Sequence, residues 1–199
     1  MWLKCNTFLF STSYIMQFGI TEKLLLLKVR TKKDPEAFAT LYDMYAEKIF
    51  RFVRFKIDSR EEAEDITSEV FLKVWNFLLE HQETGVRTFS GLVYKIARNS
   101  VIDFYRERAR RRECQLDDDL QVGAEDKNYR RIEADQELQT LLEKIKQLKQ
   151  EYQEVILLKY VDELSIAEIA EILGKSSVGV RVTLHRAGKK LQELLCIKS

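Results

Sequence analysis

The stretch Ser165-Ile166-Ala167-Glu168-Ile169-Ala170-Glu171-Ile172-Leu173-Gly174-Lys175-Ser176-Ser177-Val178-Gly179-Val180-Arg181-Val182-Thr183-Leu184-His185-Arg186-Ala187 reads as two helices and the break between them. Ser165 has the chemistry of a helix N-cap. Ile166, Ile169, Ala170 and Leu173 then recur at helical spacing. Gly174-Lys175-Ser176 ends this short helix, with glycine suited to a left-handed terminus and Ser176 placed to cap the next helix. Val180, Leu184, Ala187, Leu191 and Leu194 give that second helix an apolar stripe. A short helix, a three-residue turn containing glycine and a second amphipathic helix describe a helix-turn-helix. Ala170 is small where the two helices must approach closely.

The start of a recognition helix normally meets base edges in the major groove. Here that end offers Ser176, Ser177, Val178, Arg181 and His185. Arg181 has the chemistry for a bidentate contact to guanine, whereas Arg186, Lys189 and Lys190 suit phosphates. The motif alone also fits a helical hairpin at a protein interface.

Working outward, the rest of the chain is patterned the same way. Of 199 residues one is proline and seven are glycine, which excludes a hairpin-rich β protein. Asp34-Pro35-Glu36 is an N-cap followed by proline in the first helical position. It opens a helix with Phe38, Leu41, Tyr42, Tyr45, Ile49, Phe52 and Val53 on one stripe. Asp58-Ser59 precedes a helix carrying Ile66, Val70, Val74 or Trp75, and Leu78, which ends near Glu80. A third helix is expected from about Phe89 to Arg112, with Leu92, Ile96, Ser100 and Phe104 on one face. Leu141, Leu142, Ile145 and Leu148 start a further helical segment, and Tyr152, Val155, Ile156, Lys159 and Tyr160 lie on the next. The expectation is an all-α protein: an extension over 1–20, a helical bundle over 21–112, an acidic linker over 113–136 and a helix-turn-helix domain over 137–199. Met1–Ile20 has poor periodicity and is expected to be disordered, loosely docked, or an upstream mistranslation with Met16 as the start.

Charge alternates in blocks. Residues 61–83 and 113–137 are each net −6, residues 87–112 are net +6 and residues 174–199 are net +5. Such blocks suggest separate surfaces for a polyanion and for a cationic partner. Cys5, Cys114 and Cys196 lie far apart, and His81 and His185 are the only histidines, so no metal-binding spacing exists. No apolar run of 18 residues occurs, so no membrane span is expected. A fully extended linker of about 24 residues reaches about 80 Å, enough to let the flanking domains sit at separate sites on one duplex.

Three segments, in order, resemble one family. Ser165 to Gly174 followed by Val180 to Ala187 looks like region 4 of sigma-70 family factors of the extracytoplasmic-function type. Asp34-Pro35-Glu36-Ala37-Phe38 with Leu41-Tyr42 and Tyr45, then Ala63-Glu64-Asp65-Ile66-Thr67-Ser68-Glu69-Val70-Phe71-Leu72-Lys73-Val74-Trp75, resembles region 2. Phe89 to Arg106 resembles that region's promoter-opening helix. The chain departs from the family at Ser68, Leu92-Val93, Lys149 and Gly179.

The resemblance implies a transcription-initiation factor that binds core RNA polymerase and recognises −35 and −10 promoter elements. It implies docking on a coiled coil of the largest polymerase subunit through Asp65, Ser68, Glu69, Phe71 and Leu72. It implies −10 reading and melting by Tyr94, Arg98, Asn99, Asp103, Tyr105 and Arg106, with the loop 81–88 holding an extruded base. The second helix of the C-terminal motif would read the −35 element. Strand opening needs a basic track and stacking surfaces, and Arg98, Arg106, Arg108, Arg110, Arg111 and Arg112 supply the charge. An anti-sigma protein is a partner usual for the family, and a cytoplasmic location follows.

Two rivals stand beside this reading. One is a stand-alone helix-turn-helix regulator, which would need residues 34–112 to bind an effector or self-associate. The other is a metal-dependent nuclease using Asp117-Asp118-Asp119. The sequence holds no phosphate-cradling glycine loop, HExxH or Cys/His cluster, so no catalytic residue, metal or cofactor is expected.

Overall fold

The computed structural model describes residues 21–81, 86–114 and 136–196. It contains helices α1 (residues 21–32), α2 (Pro35–Lys56), α3 (Arg60–Glu80), α4 (Phe89–Cys114), α5 (Gln136–Lys146), α6 (Gln150–Ile156), α7 (Ile166–Leu173) and α8 (Ser177–Cys196). A π-helical turn, Leu157–Val161, continues α6. No strand occurs among the described residues. The expected extension over 1–20 and most of the expected linker, including Asp117–Asp119, lie outside them, as do residues 82–85 of the loop.

The caps form as the side chains dictate. Asp34 Oδ1 accepts from the Glu36 and Ala37 amides at 3.0 and 3.2 Å, with Pro35 beginning α2. The Ser59 hydroxyl accepts from Glu62 N at the start of α3. A cap of this kind contributes about 1 kcal/mol. The N-terminus of α4 is capped from a distance. Glu22 in α1 accepts from Phe89 N at 2.8 Å, and its other oxygen accepts from the buried Tyr45 hydroxyl. One carboxylate thus joins α1, α2 and α4 where the helix dipole favours negative charge.

α2, α3 and α4 pack on one another. Leu41, Ile49, Phe52 and Val53 of α2 meet Val70, Val74 and Leu78 of α3 in one core, and all are nearly or fully enclosed. Val74 takes the core position, while Trp75 is half-buried with its ring 4.9 Å from that of Phe38. The buried line of α4 runs through Phe89, Val93, Ala97 and Val101. Of the expected Leu92–Ile96–Ser100–Phe104 face, Leu92 and Ser100 are buried as well, and Ile96 and Phe104 pack against the core while only partly covered. The cause is that α4 is covered by α7 of the second half as well as by α2 and α3.

The C-terminal elements pack α6 and α7 against α8. Ser165 and Glu168 form a reciprocal capping box at the start of α7, and Gly174 ends it with φ 63°. A continued α-helix through Tyr160 is corrected by the π turn, in which Asp162 N bonds to Leu157 O. The extra residue turns Leu157 and Leu158 inward and leaves Tyr160 68% exposed.

The two halves meet in a polar seam. Ser90 in α4 donates to Glu168 in α7 at 2.6 Å. Burial pushes the Glu168 carboxyl up, but hydrogen bonds from Ser90 and Ser165 outweigh it and hold the group below its usual range. Glu154 in α6 is 3.2 Å from both Lys56 Nζ and Arg98 Nε. Tyr94 and Asp162 complete the seam. Their Oη and Oδ1 atoms are buried with no hydrogen-bond partner, yet each perturbs the other's titration.

Candidate nucleic-acid interface

Ser176 caps α8 by accepting from Gly179 N at 3.1 Å. Thr183 is buried, bonded to Gly179 O at 2.9 Å and to Glu151 of α6 at 3.4 Å. Glu151 also pairs with Lys175 in the turn, so α6 fixes how α8 leaves it. The hydrogen bond from Lys175 is the main influence holding the Glu151 carboxyl below its usual range. Val180 and Ala187 are fully buried, and the opposite face is open. Of the residues expected to read the −35 element, Ser176, Val178, Arg181, His185, Arg186, Lys189 and Lys190 are exposed and Ser177 is half-buried. Lys190 pairs with Glu193 at 2.9 Å.

The second basic surface is partly occupied by the protein itself. Asn99, Asp103 and Arg106 are exposed on α4, with Arg106 and Asp103 paired at 3.4 Å. Glu107 accepts from both Arg110 and Arg111, the hydrogen bond from Arg111 being the main cause of its lowered pKa. Arg108 lies 4.0 Å from Glu62. Carboxylates thus already neutralise much of the arginine run expected to form a basic track. Tyr105 is half-exposed, and its hydroxyl donates to Lys56 O. Tyr94 is the largest departure from expectation. Its ring is wholly enclosed, edge-on to Phe52 at 5.5 Å, so no base can stack on it while the seam is closed. Burial, then the Asp162 charge, pushes its hydroxyl pKa well up.

A third surface lies on α3. Asp65, Ser68 and Glu69 are exposed, Leu72 is 64% exposed, and Phe71 is buried beneath them. Beside them is an apolar hollow of about 400 Å³ lined by Pro35, Phe38, Tyr42, Ser68, Phe71, Leu72 and Trp75. Sequence reading assigned Pro35, Phe38, Tyr42 and Trp75 only to core or caps. Their walls around the hollow come from the crossing of α2 and α3, which periodicity within one helix does not reveal. The described residues hold no group of three or more His, Cys, Asp or Glu able to bind a metal. No helix among them is long and apolar enough to cross a membrane.

The Sigma-70 region 2 family model matches residues 41–111, and the Sigma-70 region 4 model matches residues 138–191. The ECF RNA polymerase sigma factor SigW of Bacillus subtilis is 33% identical over 187 residues, covering 86% of this chain and 97% of that protein. The ECF sigma factor BldN of Streptomyces coelicolor is 29% identical over 167 residues. That match covers 81% of this chain, which spans only 61% of BldN's length. In fold, the chain is similar to CnrH solved with the cytosolic domain of CnrY (TM-score 0.66, 22% identity, 90% of this chain and 99% of that one). It is also similar to the sigma factor RpoE solved with the anti-sigma factor NepR from Bartonella quintana (TM-score 0.62, 20% identity, 81% and 98%). The chain belongs to the extracytoplasmic-function family of sigma-70 RNA polymerase sigma factors. Its two family regions fall on the two halves that meet at the seam.

Proposed function

We propose that the protein carries core RNA polymerase to promoters, reading a −35 element with α8 and a −10 element with α4. It works in the cytoplasm and has no catalytic activity of its own. The open face of α8 carries the reading: it has basic and apolar side chains and no acidic one from Ser177 to Gln192, over a core face that fixes the helix in place. Both domains bind one polymerase, so tethering raises effective concentration and neither site needs high affinity alone. Residues 21–112 act as the polymerase-binding and −10 domain, residues 137–199 as the −35 domain, and 113–136 as the tether.

Engagement of the −10 element requires the seam to open, since Tyr94 is enclosed and Arg98 is paired across it. Docking on the coiled coil of the largest polymerase subunit uses the hollow beside Leu72, with Asp65 and Glu69 facing a basic partner. An anti-sigma protein is a further partner, as NepR is of the similar RpoE. Co-purification with core polymerase tests the docking surface. Leu72→Asp, at an exposed position, is expected to abolish co-elution while leaving the helical content intact. Unchanged co-elution of Leu72→Asp and of Asp65→Lys/Glu69→Lys would contradict this surface.

A further inference from the structure

The outward face of α8 carries two large apolar side chains that nothing in the fold explains. Val178 is 66% exposed and Val182 is 43% exposed. With His185 and Lys189 they form a stripe at spacings of four, three and four, opposite the buried Val180 and Ala187. β-Branched residues are poorer helix formers than alanine, so two of them on a solvent face are a local cost without a packing return. They are also stiff: valine in a helix has one strongly preferred rotamer.

Their surroundings select the occupant. Arg181 and Arg186 flank the stripe, Lys189 and Lys190 follow, and no acidic residue occurs between Ser177 and Gln192. Arg181, Arg186 and Lys189 make no ion pair among the described residues. Such a face suits a polyanion that presents small apolar knobs. The major groove of duplex DNA does so through the C5-methyl group of thymine, the one apolar group on its base edges. Four residues of helix rise about 6 Å, close to two base-pair steps.

We propose that Val178 and Val182 are specificity-determining residues that read thymine methyl groups in the −35 element, one to two base pairs apart. Arg181 then supplies the polar contact beside this apolar pair. The proposal rests on the reading of α8 as the −35 helix.

The test removes only the methyl group. Promoter DNA is bound by the full-length protein with core polymerase, with deoxyuridine replacing thymidine at one −35 position at a time. Loss of one buried methyl corresponds to about a fourfold weaker affinity. The wild type is expected to lose about that much at one or two thymines and nothing elsewhere. Val178→Ala and Val182→Ala, which favour helix formation, are each expected to lose sensitivity at one of those positions. Scrambled −35 DNA serves as the control. Strong dependence on −35 sequence with full tolerance of deoxyuridine would overturn methyl reading and leave the −35 assignment standing. Indifference to the −35 sequence altogether would overturn both.

Discussion

Arg98 Nε lies 3.2 Å from Glu154 Oε2, across the seam between the two domains. The second Glu154 oxygen is 3.2 Å from Lys56, whose side chain is 7% exposed. A carboxylate of the C-terminal domain therefore sits on an arginine of the helix proposed to follow the −10 strand, where a phosphate would sit in the open complex. If α4 follows the −10 strand as proposed, closure and −10 binding compete for the same guanidinium.

Glu154→Gln tests that competition. Removing one partner from a buried pair costs about 3–5 kcal/mol if the other charge stays buried. Here Lys56 escapes by opening the seam, so the cost is limited to that of separating the domains. Small-angle scattering is expected to show a larger radius of gyration with helical content unchanged. A variant as compact as the wild type would show that other contacts hold the seam.

Asp162 gives the seam a pH dependence. Burial is the main cause that pushes its carboxyl up to about 6, against the nearby Tyr94 hydroxyl and the charges of Arg51 and Lys48. The unfolded value is about 3.9. The group is thus harder to ionise when folded, so it is a penalty that is fully present above about 6 and absent below about 4. Asp162→Asn is expected to be more stable than wild type by on the order of 2–3 kcal/mol at pH 7.5. The gap narrows as pH falls through 6 and closes near 4. Denaturant melts of both proteins across this range check it, and a pH-independent difference would contradict the account.

Gly188 and Gly174 are expected to respond oppositely to alanine. A Cβ at Gly188, exposed within α8, meets nothing within 4 Å, so Gly188→Ala should stabilise by about 0.5–1 kcal/mol. Space is equally free at Gly174, but its φ is 63°, so Gly174→Ala should cost about 1–2 kcal/mol. Thermal melts distinguish the two directions.

Arg181→Ala is expected to lose about 1–3 kcal/mol of discrimination between matched and scrambled −35 DNA. Lys190→Ala should weaken all sequences alike and reduce the salt slope by about one. Equal losses for Arg181→Ala on both DNAs would remove it from base reading.

Local chemistry made much of this protein legible. Asp34, Ser59, Ser165, Gly174 and Ser176 act where their side chains or backbone freedom predict, because caps and turns depend on neighbours a few residues away. The helix-turn-helix followed from them. The seam was not legible: Lys56 and Glu154 are 98 residues apart, and Ser90 and Glu168 are 78 apart. Glu22 reads as one acid on α1 until α4 is brought to it. Tyr94 looks like a surface aromatic in sequence because its enclosure combines Phe52 of α2 with Asp162 of the second domain. The apolar hollow on α3 was hidden likewise, since its walls come from two helices.

Run-off transcription tests the central claim most directly. Purified core RNA polymerase, with and without this protein, is given fragmented genomic DNA of the host, and transcript 5′ ends are mapped. The account predicts defined start sites that appear only with the protein and share −35 and −10 sequences, and that vanish with Leu72→Asp. Specific DNA binding by the protein alone, with no core binding and no new start sites, would contradict it and indicate a stand-alone regulator.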